Sequence, residues 1–127
     1  MNKIDNQEIN FFFEKSKKID FLTMYYIEEG SKKYMMSKYN PIKEAEDIIN
    51  KYEANKKTLW VVLGYGLGYI PQRLIETYGA NNILIIEPNE ATFQEQIELN
   101  KNTDISGQSA KIFAGDRLED LEQILKL

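Results

Sequence analysis

Gly64, Gly66 and Gly68 stand in the run Gly-Tyr-Gly-Leu-Gly, directly after the apolar stretch Leu59-Trp60-Val61-Val62-Leu63. Glycine at a strand-to-helix turn permits positive φ and lets a ligand approach the backbone. The helix start that follows offers unpaired N–H groups and the positive end of a dipole to an anion. Glu87 closes the next apolar run about 20 residues on, where a carboxylate can accept from ribose hydroxyls. Asp116, after Gly115, closes the third run and is placed for a further polar contact to a nucleoside. These five residues are candidate cofactor-binding residues for S-adenosylmethionine or a nucleotide. The dinucleotide fingerprint wants its third glycine where this chain has Tyr69. The GxGxG of S-adenosylmethionine methyltransferases fits better, although Val62 occupies the position where that pattern usually carries an acid.

Each of these residues also has a purely structural use. The glycines can serve only to pack a helix tightly on a sheet, Glu87 before Pro88 can be a solvated strand end, and Asp116 can be a helix cap with Glu119 as its capping-box partner. Tyr65 and Tyr69 can stack on a base or pack inside, and interior packing is the commoner use of a tyrosine. Met35-Met36 reads as strand packing.

What is missing narrows the chemistry. The 127 residues contain no cysteine and no histidine. Disulfides, thiolate zinc sites, Ser-His-Asp and Cys-His catalysis, and imidazole acid–base chemistry are therefore outside this chain's own means. No catalytic or metal-ligating set is expected from it. The net charge of −4 and pI near 5.0 argue against a general nucleic-acid binder, which needs a positive surface to displace counterions. Two lysine groups, Lys15, Lys17 and Lys18, and Lys56 and Lys57, read as solvated faces. No apolar stretch approaches the ~20 residues that span a bilayer, and no signal-peptide core opens the chain, so no membrane partner is expected and the expected location is the cytoplasm.

The elements that would position the glycine turn follow from periodicity. Residues 5–18, with Phe11-Phe12-Phe13, suggest a short N-terminal helix. A β-hairpin is expected from Ile19–Ile27 and Tyr34–Met36 around the turn Glu28-Glu29-Gly30-Ser31. Asn40 and Pro41 are a good N-cap and first helical residue for a helix whose apolar face is Ile42, Ala45, Ile49 and Tyr52. Leu59–Leu63 then reads as a buried central strand, followed by a helix through Ile70, Leu74, Ile75 and Tyr78 that Gly79 stops. Ile83–Ile86 is a second strand, Asn89 caps a helix with Phe93 and Ile97 inside, and Ala110–Ala114 is a third strand. A last helix carries Leu118, Leu121, Ile124 and Leu125. Strand and helix alternating three times predict an α/β fold: a Rossmann-like, three-layer half-sheet of parallel strands (βαβαβα) after an N-terminal helix and hairpin. One domain is expected over 1–127, divided near residue 58, as a piece of a longer protein.

Two segments resemble one family. Ser37-Lys38-Tyr39-Asn40-Pro41-Ile42-Lys43-Glu44-Ala45 is similar to a segment near the start of the motility-associated factor proteins, the flagellin glycosyltransferases of flagellated bacteria. Leu63-Gly64-Tyr65-Gly66-Leu67-Gly68-Tyr69 looks like that family's glycine turn, followed at the expected distance by Ile86-Glu87-Pro88. The departures are Met36 and Ile70 in place of histidines and Asn40 in place of aspartate, the last of which preserves capping. The resemblance implies a larger protein whose central domain transfers a nonulosonic acid from its CMP-activated form to flagellin Ser or Thr hydroxyls. This chain would be its non-catalytic N-terminal domain, with flagellin and the remaining domains as partners. An S-adenosylmethionine- or nucleotide-binding domain is the alternative. A self-association module, a homo-oligomer built through an exposed sheet edge such as the hairpin's, is a third class.

Overall fold

Three consecutive phenylalanines on a helix would span about 200° of its circumference, so no single face could bury them all. A strand turns only the middle one outward. The computed structural model, which describes residues 10–100, 103, 105, 110–115 and 118–125, takes the second course: Phe11 and Phe13 are half-buried and Phe12 is exposed. The segment is therefore strand β1 (Phe12–Lys15) and not the expected N-terminal helix over 5–18; the first part of that expectation, residues 5–9, lies outside the described residues.

Strand β1 pairs antiparallel with β2 (Leu22–Glu28), and β2 with β3 (Ser31–Tyr34), in the order β1-β2-β3. The hairpin turn has Glu29 at φ 51° and Gly30 at φ 80°. Two successive positive φ values give the turn whose twist matches the flanking strands. Register brings Phe12, Tyr25 and Tyr34 side by side, with ring centroids 5.5 Å apart in both pairs. Glu14 accepts from Lys32 Nζ (2.9 Å) and the Tyr34 hydroxyl (2.8 Å), and these bonds hold its carboxyl below the usual carboxylate range.

Helix α1 (Pro41–Ile49) starts where Asn40 Oδ1 accepts from the Lys43 N–H at 3.0 Å, and buries Pro41, Ala45 and Ile49. It stops short of Tyr52, which is exposed and not part of the inner face. The rest of the chain alternates as expected: β4 (Trp60–Leu63), α2 (Tyr69–Tyr78), β5 (Ile83–Glu87), α3 (Glu90–Leu99), β6 (Lys111–Ala114) and α4 (Leu118–Leu125). Strands β4, β5 and β6 form a parallel sheet in sequence order. That order makes β5 the central strand. The expectation of a buried central strand at Leu59–Leu63 is corrected: β4 is an edge strand, with Leu59, Val61 and Leu63 77%, 59% and 78% exposed. Asp116, and with it the capping box to Glu119, lies outside the described residues.

Two apolar clusters hold the layers. One joins Ile83 and Ile85 of β5 to Leu74 of α2, Phe93 of α3, Ile49 of α1 and Tyr65. The other joins the antiparallel sheet to the helices through Met24, Ala45, Leu67 and Tyr69. Tyr69 is the tie between the sheets: its ring stacks on Phe21 at 6.2 Å, and its hydroxyl donates to the Leu22 carbonyl at 2.5 Å. Burial pushes that hydroxyl up to about 12, against a smaller opposing hydrogen bond with Asn100.

Tyr69→Phe should lower the unfolding free energy by about 1–2 kcal/mol, since it leaves a part-buried carbonyl without its donor. A tyrosine whose folded pKa exceeds its unfolded value of about 10 stabilises fully below that value, and the contribution fades as pH rises through the folded pKa. Urea midpoints of the wild type should therefore fall between pH 10 and about 12 more steeply than those of Tyr69→Phe. Equal slopes would remove Tyr69 from the alkaline transition.

Candidate functional site

The glycine turn leaves β4 at the carboxyl edge of the parallel sheet. Gly64, Gly66 and Gly68 have φ of 86°, 60° and 86°, so all three need the left-handed region that glycine enters without penalty. Their surroundings differ. A Cβ on Gly64 would meet nothing within 4 Å, whereas one on Gly66 would lie 3.3 Å from Met36 Cε. At Gly68 it would collide with the Tyr65 hydroxyl and sit 2.7 Å from Thr103 Oγ1. Gly64 therefore faces open space, while Gly68 is the contact point between the turn and the body of the domain.

Glu87 stands at the end of β5, directly beside this turn, and is 8% exposed. Its Oε1 accepts from the Tyr65 N–H at 3.0 Å and its Oε2 from the Asn89 N–H at 3.1 Å. Its own backbone carbonyl accepts from Gly115 N–H at 2.9 Å. One residue thus fastens the exits of all three parallel strands and the entrance of α3. A charge-assisted bond to backbone N–H is among the stronger hydrogen bonds a fold can make. Asn89 then caps α3 by accepting from the Thr92 N–H at 2.9 Å. Of the expected site residues, the three glycines and Glu87 are brought together; Asp116 lies outside the described residues.

Three further residues complete the site from beneath. Asn100 Nδ2 (2.8 Å) and Thr103 Oγ1 (2.5 Å) both donate to the Leu67 carbonyl, and both side chains are fully buried. Gln96, 2% exposed, donates to Met24 Sδ at 3.5 Å, and its Oε1 is buried with no hydrogen-bond partner among the described residues. Sequence reasoning named none of them. Their signal was available: Gln96 and Asn100 recur at helical spacing after Phe93, on the stripe that faces the core.

An open groove of about 900 Å³ runs over this edge, lined by Phe11, Met35, Gly64, Gly66, Glu87 and Gln96 among others. Among the described residues that line it, the charged ones are Glu87 and Glu95. The amides of Gly64, Tyr65 and Gly68 are spent on Ile86, Glu87 and Tyr65. Pro71, in the first turn of α2, has no N–H. Among the described residues a phosphate placed here would meet two carboxylates and few free donors, which is the wrong balance for an anion. Tyr65 and Tyr69 are both buried and so pack inside.

The Ser37–Ala45 segment is a lock on a helix start. Ser37 Oγ accepts from the Tyr39 and Asn40 N–H groups (3.1 and 3.0 Å), and Ser37 N–H donates to Glu44 Oε1 at 2.8 Å. Asn40 on Lys43 satisfies a donor that the helix end leaves unpaired, while Ser37 and Glu44 pair the amides of the turn that leads into it.

Fold and site together define an α/β domain with a braced glycine turn at the carboxyl edge of a parallel sheet. Comparison with protein-family models, with curated proteins and with solved structures finds no match. Among the described residues, no three acidic side chains converge as a metal site would require, and no helix is long and apolar enough to cross a membrane.

Removing the Glu87 carboxylate leaves two amides without their acceptor, so Glu87→Ala should cost about 2–4 kcal/mol in urea unfolding. Gly64→Ala should lose about 1–2 kcal/mol from strain alone, and Gly68→Ala clearly more, because it adds a collision. Equal losses at Gly64 and Gly68 would contradict this account of the turn.

Proposed function

We propose that the chain is a non-catalytic docking and assembly domain, with a Rossmann-like half-sheet, of a cytoplasmic flagellin glycosyltransferase resembling the motility-associated factor proteins. The observation that carries the reading is the use of Glu87: both carboxylate oxygens are committed to backbone amides, so the acid at the turn works as a strut. The Ser37–Ala45 segment, which carries half of the resemblance, is likewise occupied in capping a helix. With no histidine or cysteine in the chain and no cation among the described residues lining the groove, the chain supplies surfaces and not reacting groups. The nonulosonic acid transfer would belong to the remaining domains of the protein, and flagellin would be the partner that the domain helps to present.

A second reading has one observation in its favour. Gln96, whose buried Oε1 has no hydrogen-bond partner among the described residues, is among the residues that line the same groove as Gly64. A neutral donor such as the amino group of an adenine could reach toward it, which is the chemistry of an S-adenosylmethionine- or nucleoside-binding domain.

A thermal-shift series with S-adenosylmethionine, S-adenosylhomocysteine, NAD, CMP and a CMP-sugar separates the two. The docking reading expects no shift from any of them and capture of flagellin by the chain. A ligand at 100 times its dissociation constant would stabilise by about 2.7 kcal/mol. A shift of that size abolished by Gly64→Val would replace the docking reading with the second.

A further inference from the structure

The outer edge of β4 breaks a rule that folded proteins otherwise observe. Exposed edge strands are usually blunted by a charge, a proline or a bulge, because their unpaired N–H and C=O groups invite another strand. From Thr58 to Gly66 this segment has none of those devices. Trp60 N–H donates to the Asn82 carbonyl and Gly64 N–H to the Ile86 carbonyl, both toward β5. The alternation of a strand therefore turns the N–H and C=O groups of Leu59, Val61 and Leu63 away from the sheet. No described strand pairs with that edge.

The side chains of the same three residues are the most exposed aliphatic groups described. Beside the edge lies a groove of about 500 Å³ whose lining includes Ile48, Ile49 and Tyr52 on one side and Trp60, Val62 and Leu74 on the other. Trp60, which borders it, has a buried indole N–H with no acceptor among the described residues. Unpaired backbone and an adjoining apolar groove are the two parts that strand addition uses, the first for binding and the second for alternate side chains.

We infer that β4 is the docking edge for a second copy of this chain, paired antiparallel about Val61 to give one continuous six-stranded sheet. The run is self-complementary in that register: Val61 meets Val61 of the second copy, and Leu59 meets Leu63. All six side chains fall on one face, and no charge is brought opposite another. The flanking charges are mixed (Glu53, Lys56 and Lys57), so no block of one sign opposes approach. Leu59, Val61 and Leu63, on one face of the strand, form an exposed apolar stripe that this pairing sets directly beside its copy. An interface built on one short strand is small, and the association it gives is reversible, on the order of micromolar. The inference goes beyond the docking reading above and stands on β4 alone, so it survives or fails whatever the glycine turn binds.

Sedimentation equilibrium of the 127-residue chain tests it, together with the emission of Trp60, the single tryptophan. Across about 1 to 300 µM, the range in which such an interface titrates, the mass should rise from 14.9 kDa toward twice that value, with a concentration-dependent shift in emission. Val61→Lys should weaken association at least tenfold with an unchanged far-UV spectrum. The chain has no cysteine, so Val61→Cys creates a lone thiol. In the inferred register two such residues form a hydrogen-bonded pair with Cα atoms about 5.5 Å apart, within disulfide reach. Val61→Cys should therefore oxidise to a covalent dimer many times faster than Gln94→Cys, an exposed control on α3. A wild type that stays at 14.9 kDa throughout, a dimer indifferent to Val61→Lys, or equal cross-linking at both cysteines would overturn the inference.

Discussion

The parallel sheet depends on a carboxylate that is almost entirely removed from water. Glu87 is placed where the exit of β4 and the entrance of α3 each expose a backbone N–H that its carboxylate accepts, while its own backbone carbonyl takes the Gly115 N–H after β6. A charged side chain is costly to bury unless its oxygens find donors, and here the donors are amides that would otherwise be buried unpaired. The two deficits cancel. That exchange determines the rest of the edge: Tyr65 must follow Gly64 in extended proximity to β5, Asn89 must start α3 at once, and Gly115 must return β6 alongside.

The same exchange separates this turn from a phosphate cradle of similar spacing. A phosphate loop keeps its amides free and its charge positive, so that the ligand completes the hydrogen bonding. Here the chain completes it internally, from above with Glu87 and from below with Asn100 and Thr103 on the Leu67 carbonyl. The glycines remain necessary for a different reason. Gly68 is pressed against Tyr65 and Thr103, so the turn is as tight as a ligand-binding one while its polar groups already have partners.

Much of this was legible in the amino-acid sequence, and the failures share a cause. The hairpin, α1 with its Asn40-Pro41 start, and the alternation from β4 to α4 each announce themselves locally, through turn residues, caps and periodicity. The glycine turn and Glu87 can be placed together from sequence because each ends an apolar run of a strand–helix alternation. What was missed depends on neighbours distant in sequence. The phenylalanine cluster resembles a helix face until Tyr25 offers Phe12 a stacking partner 13 residues away. Leu59–Leu63 has the composition of a central strand, and composition carries no information about strand order. Asn100 and Thr103 look like an ordinary helix exit until the Leu67 carbonyl, which no local pattern advertises, comes within reach.

The β4 misreading is the informative one. Apolar residues at every position of a short strand mean that both faces and both edges expect cover. Trp60 and Val62 find theirs in the core beneath the sheet, while Leu59, Val61 and Leu63 find none among the described residues. The composition of the run therefore overstates its burial: only Trp60 and Val62 are packed against the core, and the other three residues stand exposed. The exposed edge follows from the same economy that made Glu87 a strut. At the carboxyl edge the backbone amides find acceptors within the chain, whereas the outward row of β4 pairs with no described strand.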